Sequence, residues 1–251
     1  MQLSDVYLVT KRLKRVPARS IDSLEKTLGT PLPLGYREYL TQLGIGRFSG
    51  FLTVESPQQV KEQLEYWRGE LLGAAVIVDG MKVGLYNRGV LSATKVRESF
   101  LFATTDNGDK FVSTPSCGQT LFVILDGGPS IRTLQHGFLD PLACCRAVGA
   151  TDRRPWFEAA NGRRELCGFE VRGGISVIDN GVTQLWKQQE IRRFEKVDYG
   201  SSGSIETYGI RAIDGLLRVF SKSPGKHSVS VSYDKDYKDQ VQSLAQLLGR
   251  K

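Results

Sequence analysis

The chain has 251 residues, 40% hydrophobic and 24% charged, with a formal net charge of +7 from 34 Lys+Arg against 27 Asp+Glu. That length supports one large core or two small ones, with two domains favoured. No window has the continuous apolar length of a membrane span, and the N-terminus lacks the apolar region of a signal peptide, so a cytoplasmic protein is expected.

The basic excess is not concentrated. Residues 1–150 hold 17 Lys+Arg and 14 Asp+Glu, and residues 151–251 hold 17 and 13. A nucleic-acid module gathers its charge into one stripe, so no direct nucleic-acid partner is expected. The run Lys11-Arg12-Leu13-Lys14-Arg15 and the pairs Arg153-Arg154, Arg163-Arg164 and Arg192-Arg193 lack interleaved aromatics and read as solvated faces. The four cysteines, Cys117, Cys144, Cys145 and Cys167, have neither C-x-x-C pairing nor repeated spacing, so reduced thiols are expected and no metal site.

In chain order, residues 3–15 fit a short helix or an edge strand equally. Ile21, Leu24 and Leu28 share a helical face, with Asp22 and Glu25 in the form of a capping box and a stop at Gly29. Pro31 and Pro33 enforce an extended link. Leu34, Tyr36, Tyr39, Leu40 and Leu43 then stripe a second helix ending at Gly44. A glycine-punctuated turn leads into a strand from Phe51 to Val54, and Ser56-Pro57 opens a helix striped by Val60, Leu64, Trp67 and Leu71, ending at Gly73.

Ala74 to Val78 reads as a strand entering a turn at Asp79-Gly80, with Val83 to Tyr86 as its partner. Phe100 to Ala103 and Phe111 to Ser113 form a hairpin about Asp106-Asn-Gly-Asp109, where Asn107-Gly108 suits a type I′ turn. Thr120 to Leu125 is a further strand before Asp126-Gly127-Gly128-Pro129, and Phe138 to Val148 a closing helix.

This order resembles the SUKH superfamily, through Leu28, Gly29, Leu32, Pro33, Tyr36, Tyr39, Leu40, Gly44, Gly46, Gly50 and Pro57, and again through Gly108, Asp109, Leu121 to Ile124 and Phe138. The resemblance covers about residues 18–150 and rests on diffuse, structural motifs. Residues 79–98 match none of its elements. It implies a sheet with flanking helices and a protein-binding role. Many bacterial members are immunity proteins that hold a cognate toxin, often a nuclease, in an inactive complex.

After the linker Thr151 to Pro155, Trp156 to Ala160 reads as a helical turn. Seven short strands follow, at Leu166–Val171, Ile175–Ile178, Val182–Trp186, Ile191–Val197, Ile205–Ile213, Leu216–Phe220 and His227–Tyr233. Their turns include Gly173-Gly174, Asn180-Gly181, Gly200 to Gly203 and Pro224-Gly225. Val241, Leu244, Leu247 and Leu248 stripe a last helix. The expected fold is thus α+β: a SUKH-like domain at 1–150, then a β-rich small barrel capped by a helix at 151–251, of pleckstrin-homology-like layout.

Chemistry is sparse. His136 and His227 are the only histidines, and neither lies in a nucleophile signature. Ser92-Ala-Thr-Lys95 has the S-x-x-K form without its companion motifs. No cofactor is expected, and the chain reads as a non-enzyme. A binder of a cationic nuclease toxin needs a local acidic patch despite its basic total. Glu62, Glu65 and Glu70 beside Trp67, with Asp106 and Asp109 at the hairpin, are the candidate partner-binding residues. The alternative is an adaptor that binds a protein or anionic lipid through its C-terminal domain, with Arg192, Arg193 and Lys196 as contacts.

Overall fold

A computed structural model of the chain describes residues 2–80, 93–126, 131–135, 137–151, 153–160, 162–173, 175–198, 203–223 and 225–249. The fold is α+β. The chain divides into two compact units, residues 1–6 with 13–151 and residues 7–12 with 152–251, so strand β1 (Tyr7–Leu8) belongs to the second unit.

In the first unit, α1 (Ala18–Leu28) ends at Gly29 in the left-handed conformation. It begins earlier than the Asp22/Glu25 signal implies. Pro17 enters in extended geometry and its carbonyl accepts from Ser20 N–H, so Asp22 and Glu25 lie inside the helix. Both carboxylates pair with Arg37 of α2 (Tyr36–Gln42), at 2.7 and 2.9 Å. Next come β2 (Gly46–Phe48), β3 (Leu52–Val54), α3 (Pro57–Gly80), α4 (Ala93–Glu98), β4 (Phe100–Thr105), β5 (Lys110–Ser113), β6 (Leu121–Ile124), β7 (Ile131–Leu134) and α5 (Pro141–Ala147). Strands β2 to β7 pair antiparallel in sequence order.

Helix α3 continues through the segment expected to be a strand at Ala74 to Val78. One glycine costs a helix about 1 kcal/mol relative to alanine, and Gly73 lies between Leu71-Leu72 and Ala74-Ala75, which sustain it. The expected partner strand at Val83 to Tyr86 and the turn residues Gly127 to Pro129 lie outside the described residues. At the β4–β5 turn Gly108, not Asn107, takes positive φ (+91°), and Gly108 N–H donates to Thr105 O at 3.0 Å. The turn therefore centres on Asp106-Asn107 and places glycine one residue later, where the backbone needs a left-handed residue, in place of the type I′ turn.

Both faces of this sheet are covered. Leu101, Val112 and Phe122 pack with Leu71 and Val96 from α3 and α4. On the other side Phe102 meets Tyr36, Phe111 and Phe138 edge-on, and Tyr39 meets Phe138. Such a ring cluster adds edge-to-face attraction to its area burial.

The second unit contains β8 (Trp156–Ala159), β9 (Arg164–Arg172), α6 (Ile175–Leu185), β10 (Ile191–Asp198), β11 (Ser204–Ile210), β12 (Gly215–Ser223), β13 (Lys226–Asp234) and α7 (Lys238–Gly249). Its sheet is open, five-stranded and antiparallel in the order β10-β11-β12-β13-β9, and no closed barrel forms among the described residues. The runs Ile175–Ile178 and Val182–Trp186, expected as strands, form helix α6 and its end. Ile178, Val182 and Trp186 recur every four residues and enter the core with Val241, Leu244 and Leu248 of α7. Asn180-Gly181 is therefore no turn: Gly181 lies mid-helix, where a Cβ would collide with Leu248. In the stretch Trp156 to Ala160, expected as a helical turn, residues 156–159 form a strand running parallel to β1, with Tyr7 opposite Trp156.

Segment 7–12 is held in the second unit by packing and by charge. Tyr7, Val9, Trp156, Phe194 and Leu216 form one buried cluster, in which Trp156 and Phe194 stack at 5.4 Å. Arg12 pairs with Asp234 at 3.2 Å and Asp236 at 2.9 Å, and Arg163 joins the same two carboxylates at 3.2 and 2.6 Å.

Candidate functional site

Helix α3 begins with a reciprocal cap: Gln59 N–H donates to Ser56 Oγ at 3.3 Å, and Ser56 N–H to Gln59 Oε1 at 2.9 Å. Its apolar stripe turns Val60, Trp67 and Leu71 inward. The residues left exposed, Gln58, Glu62, Glu65, Tyr66, Gly69 and Glu70, repeat at helical spacing and share the opposite face.

Trp67 fixes this face. Its indole N–H donates to Gln63 Oε1 at 3.0 Å, its ring packs against the Leu71/Val112 cluster, and the Lys110 ammonium stands 5.6 Å from the ring centroid. Arg68 donates from Nε to Ser99 O at 3.2 Å and pairs with Glu65 at 3.2 Å. Tyr66 packs edge-on against Trp67 with centroids 5.1 Å apart, yet remains 62% exposed. An aromatic ring thus stands in solvent among Glu62, Glu65 and Glu70, on a helix anchored from beneath.

The hairpin carboxylates have other surroundings. Asp106 is exposed and pairs with Arg47 of β2, which balances its charge. Asp109 is buried, accepting from Thr105 Oγ1 at 2.6 Å and from Asp126 N–H at 3.0 Å, so it closes the turn from inside. Glu62, Glu65, Trp67 and Glu70 therefore share one helix, and the hairpin reaches that helix through Lys110. Tyr66 escaped the sequence reading, although its offset from the Val60–Leu64–Trp67–Leu71 stripe marks it as outward-facing.

Among the described residues, His227, Cys144 and Cys145 have structural surroundings. His227 is buried, with Ser221 Oγ 2.7 Å from Nδ1 and the Gly173 carbonyl 3.0 Å from Nε2, so it ties β12 and β13 to the end of β9. Cys144 and Cys145 are buried, and burial pushes the Cys144 thiol well above its ordinary range, which suppresses the reactive thiolate. His136 and Ser92 lie outside the described residues. Among the described residues no group of three or more His, Cys, Asp or Glu is placed to hold a metal ion, and no helix is long and apolar enough to cross a membrane.

No protein-family model matches the chain, and comparisons with curated proteins and with solved structures return no match.

Proposed function

We propose that the chain is a non-catalytic, cytoplasmic protein-binding protein whose α3 face docks on a cationic surface of a partner. Following the SUKH resemblance, the partner we propose is a bacterial toxin of nuclease type, held inactive in the complex. The observation that carries this reading is Tyr66, exposed on α3 between Glu62, Glu65 and Glu70 and backed by the anchored Trp67. Tyrosine is prominent among residues that dominate binding energy at interfaces. Carboxylates around it steer a cationic partner and set its orientation, and a helix fixed in advance loses little freedom on docking.

The adaptor reading relies on Arg192, Arg193 and Lys196 for anionic lipid. Arg193 and Lys196 pair with the buried Glu206 at 2.5 and 3.4 Å, and Arg192 lies 5.4 Å from the Tyr7 ring centroid. Those engagements balance part of that cationic charge, whereas Glu62 and Glu70 on α3 have no ion pair among the described residues, which favours the α3 reading.

The test is co-expression with each lethal product of the genes that adjoin this one. Rescue by the unaltered chain is expected, with loss of rescue in Tyr66→Ala and in the triple variant Glu62→Lys/Glu65→Lys/Glu70→Lys while thermal stability is kept. Absence of rescue by the unaltered chain, or full rescue by both variants, overturns the proposal.

A further inference from the structure

A second feature of the first unit lies at the starts of α1 and α3. A cavity of about 510 Å³ opens there, and its lining includes Lys14, Arg15, Arg19 and Lys61 with no aspartate or glutamate. We propose that it binds a phosphate group carried by a small, non-aromatic molecule, such as a sugar phosphate or pyrophosphate.

Backbone packing builds the cavity wall. Ile45 N–H donates to Lys14 O at 2.9 Å and Val16 N–H to Leu40 O at 3.0 Å, which lays residues 14–16 across the end of α2. Gly44, at φ +88°, allows this approach, because a Cβ there would collide with the Lys14 carbonyl. The run Lys11 to Arg15 is thereby divided: Arg12 joins Asp234 and Asp236 in the second unit, while Lys14 and Arg15 line the cavity.

The cations differ in how they are held. Arg15 donates from Nε to Gln42 O at 3.0 Å, which orients its guanidinium, and Lys61 donates to Ser23 Oγ at 2.8 Å. Among the described residues Lys14 and Arg19 have no ion-pair partner. Four like charges about one concavity raise the local potential and favour a compact polyanion over a chloride-sized ion. Two helix N-termini at the same place add their dipoles. α1 is entered through Pro17, which supplies no side-chain cap, and Ser20, Ser23 and Ser56 contribute hydroxyls to the lining.

Size and composition narrow the ligand. The volume falls within the ~300–1,000 Å³ of small-molecule sites. The lining has no aromatic ring to stack a base, which disfavours nucleotides and single-stranded nucleic acid. Val16, Pro17 and Ile45 in its lining supply apolar surface against which the carbon skeleton of a sugar can pack. The cavity meets the exposed face of α3 at Gln58, which lines it and donates to Glu62 Oε1 at 2.6 Å, but its cations and the glutamates of that face address ligands of opposite charge, and the two proposals are tested separately.

The test is titration calorimetry of the whole chain at fixed ionic strength, with sodium pyrophosphate, glycerol 3-phosphate and adenosine monophosphate as probes. Saturable one-to-one binding of pyrophosphate or glycerol 3-phosphate is expected, weakened tenfold or more in Arg19→Ala/Lys61→Ala. Lys26→Ala, which removes an exposed α1 cation outside the lining, should leave binding unchanged. Circular dichroism verifies the fold of each variant, with Arg19→Ala alone, at an exposed position, as the substitute should the double variant not fold. No saturable binding by either phosphate, unchanged affinity in the cavity variant, or equal weakening by Lys26→Ala overturns the site. Tighter binding of adenosine monophosphate than of glycerol 3-phosphate overturns the assignment of a non-aromatic carrier.

Discussion

Gly209 and Tyr7 are packed against each other: a Cβ added to the glycine would stand 2.9 Å from Cε1 of the tyrosine ring and 2.6 Å from Cζ of Phe194. Tyr7 thereby rests on β11 beside Phe194 of the edge strand β10 in the second unit's sheet. Gly209→Ala is expected to destabilise the protein by about 1–3 kcal/mol, because the new methyl meets two rings held in a buried cluster. Phe194→Leu, which replaces one of those rings with a smaller aliphatic side chain, should recover part of that loss in the double variant. Urea unfolding of the four combinations measures the coupling.

The Asp234 carboxylate is fully buried and meets Arg163, Arg12 and the Asp236 N–H. Burial alone would raise its pKa, but the Arg163 hydrogen bonds, the Asp236 N–H and the charges of Arg163 and Arg12 hold it below the ordinary carboxylate value. Asp236 is lowered too, first by its hydrogen bond from Arg12. A carboxylate with a depressed folded-state pKa stabilises the fold above the unfolded value of about 3.9 and ceases to as the pH falls through the folded value. Asp234→Asn should therefore lower the melting temperature clearly at pH 7. The gap to the unaltered chain should narrow below about pH 4, in the range where Asp234 itself takes up a proton. Melts at pH 7, 5 and 3 check this.

Glu55 has the opposite sign. Burial raises its pKa, so the folded state holds its proton more tightly than the unfolded chain and stability falls as the pH rises from the unfolded to the folded value. At neutral pH the ionised form carries that penalty. Glu55→Gln, which mimics the protonated acid and leaves the Glu55 carbonyl to accept from Tyr36 Oη at 2.8 Å, should raise the melting temperature at pH 7. The advantage should disappear near pH 3, and an unchanged difference across that range would refute the assignment.

Adjacent aromatics on α3 should behave differently. Tyr66→Ala, at a largely exposed site, loses only the edge-on contact with Trp67 and is expected to change unfolding free energy by no more than about 1 kcal/mol. Trp67→Ala removes the ring that packs on the Leu71/Val112 cluster and should cost about 2–4 kcal/mol. Denaturant unfolding separates the two, and only Tyr66→Ala then serves as a clean probe of binding.

Where one stretch of chain carries its own instructions, sequence and structure agree. The stop of α1 at Gly29, the Ser56-Pro57 start of α3, the β4–β5 hairpin and the α7 stripe rest on caps, turns and periodicity. Some misreadings are local, as at the Asp22/Glu25 cap, the Gly73 stop and the type I′ turn, and others occur where a distant partner decides. Asn180-Gly181 is a fair turn signal until Leu248 arrives against the glycine, and segment 3–15 is ambiguous until Trp156 pairs with Tyr7. The acidic α3 face was read from spacing, and Tyr66, although its spacing places it there, was missed. The burial of Asp109 was not, because it depends on the backbone of Asp126.

The assignment of residues 7–12 to the second unit sets an order of events during synthesis. Tyr7 emerges before Trp156 and must wait for it, and later for Phe194 and Leu216, while translation adds roughly 5–20 residues per second. Residues 13–151 can collapse in that interval. A gene cut at position 151 would strand the hexapeptide on the wrong fragment and leave the other with an uncovered aromatic seat, so dissecting the two halves requires carrying Tyr7 to Arg12 across to the C-terminal piece.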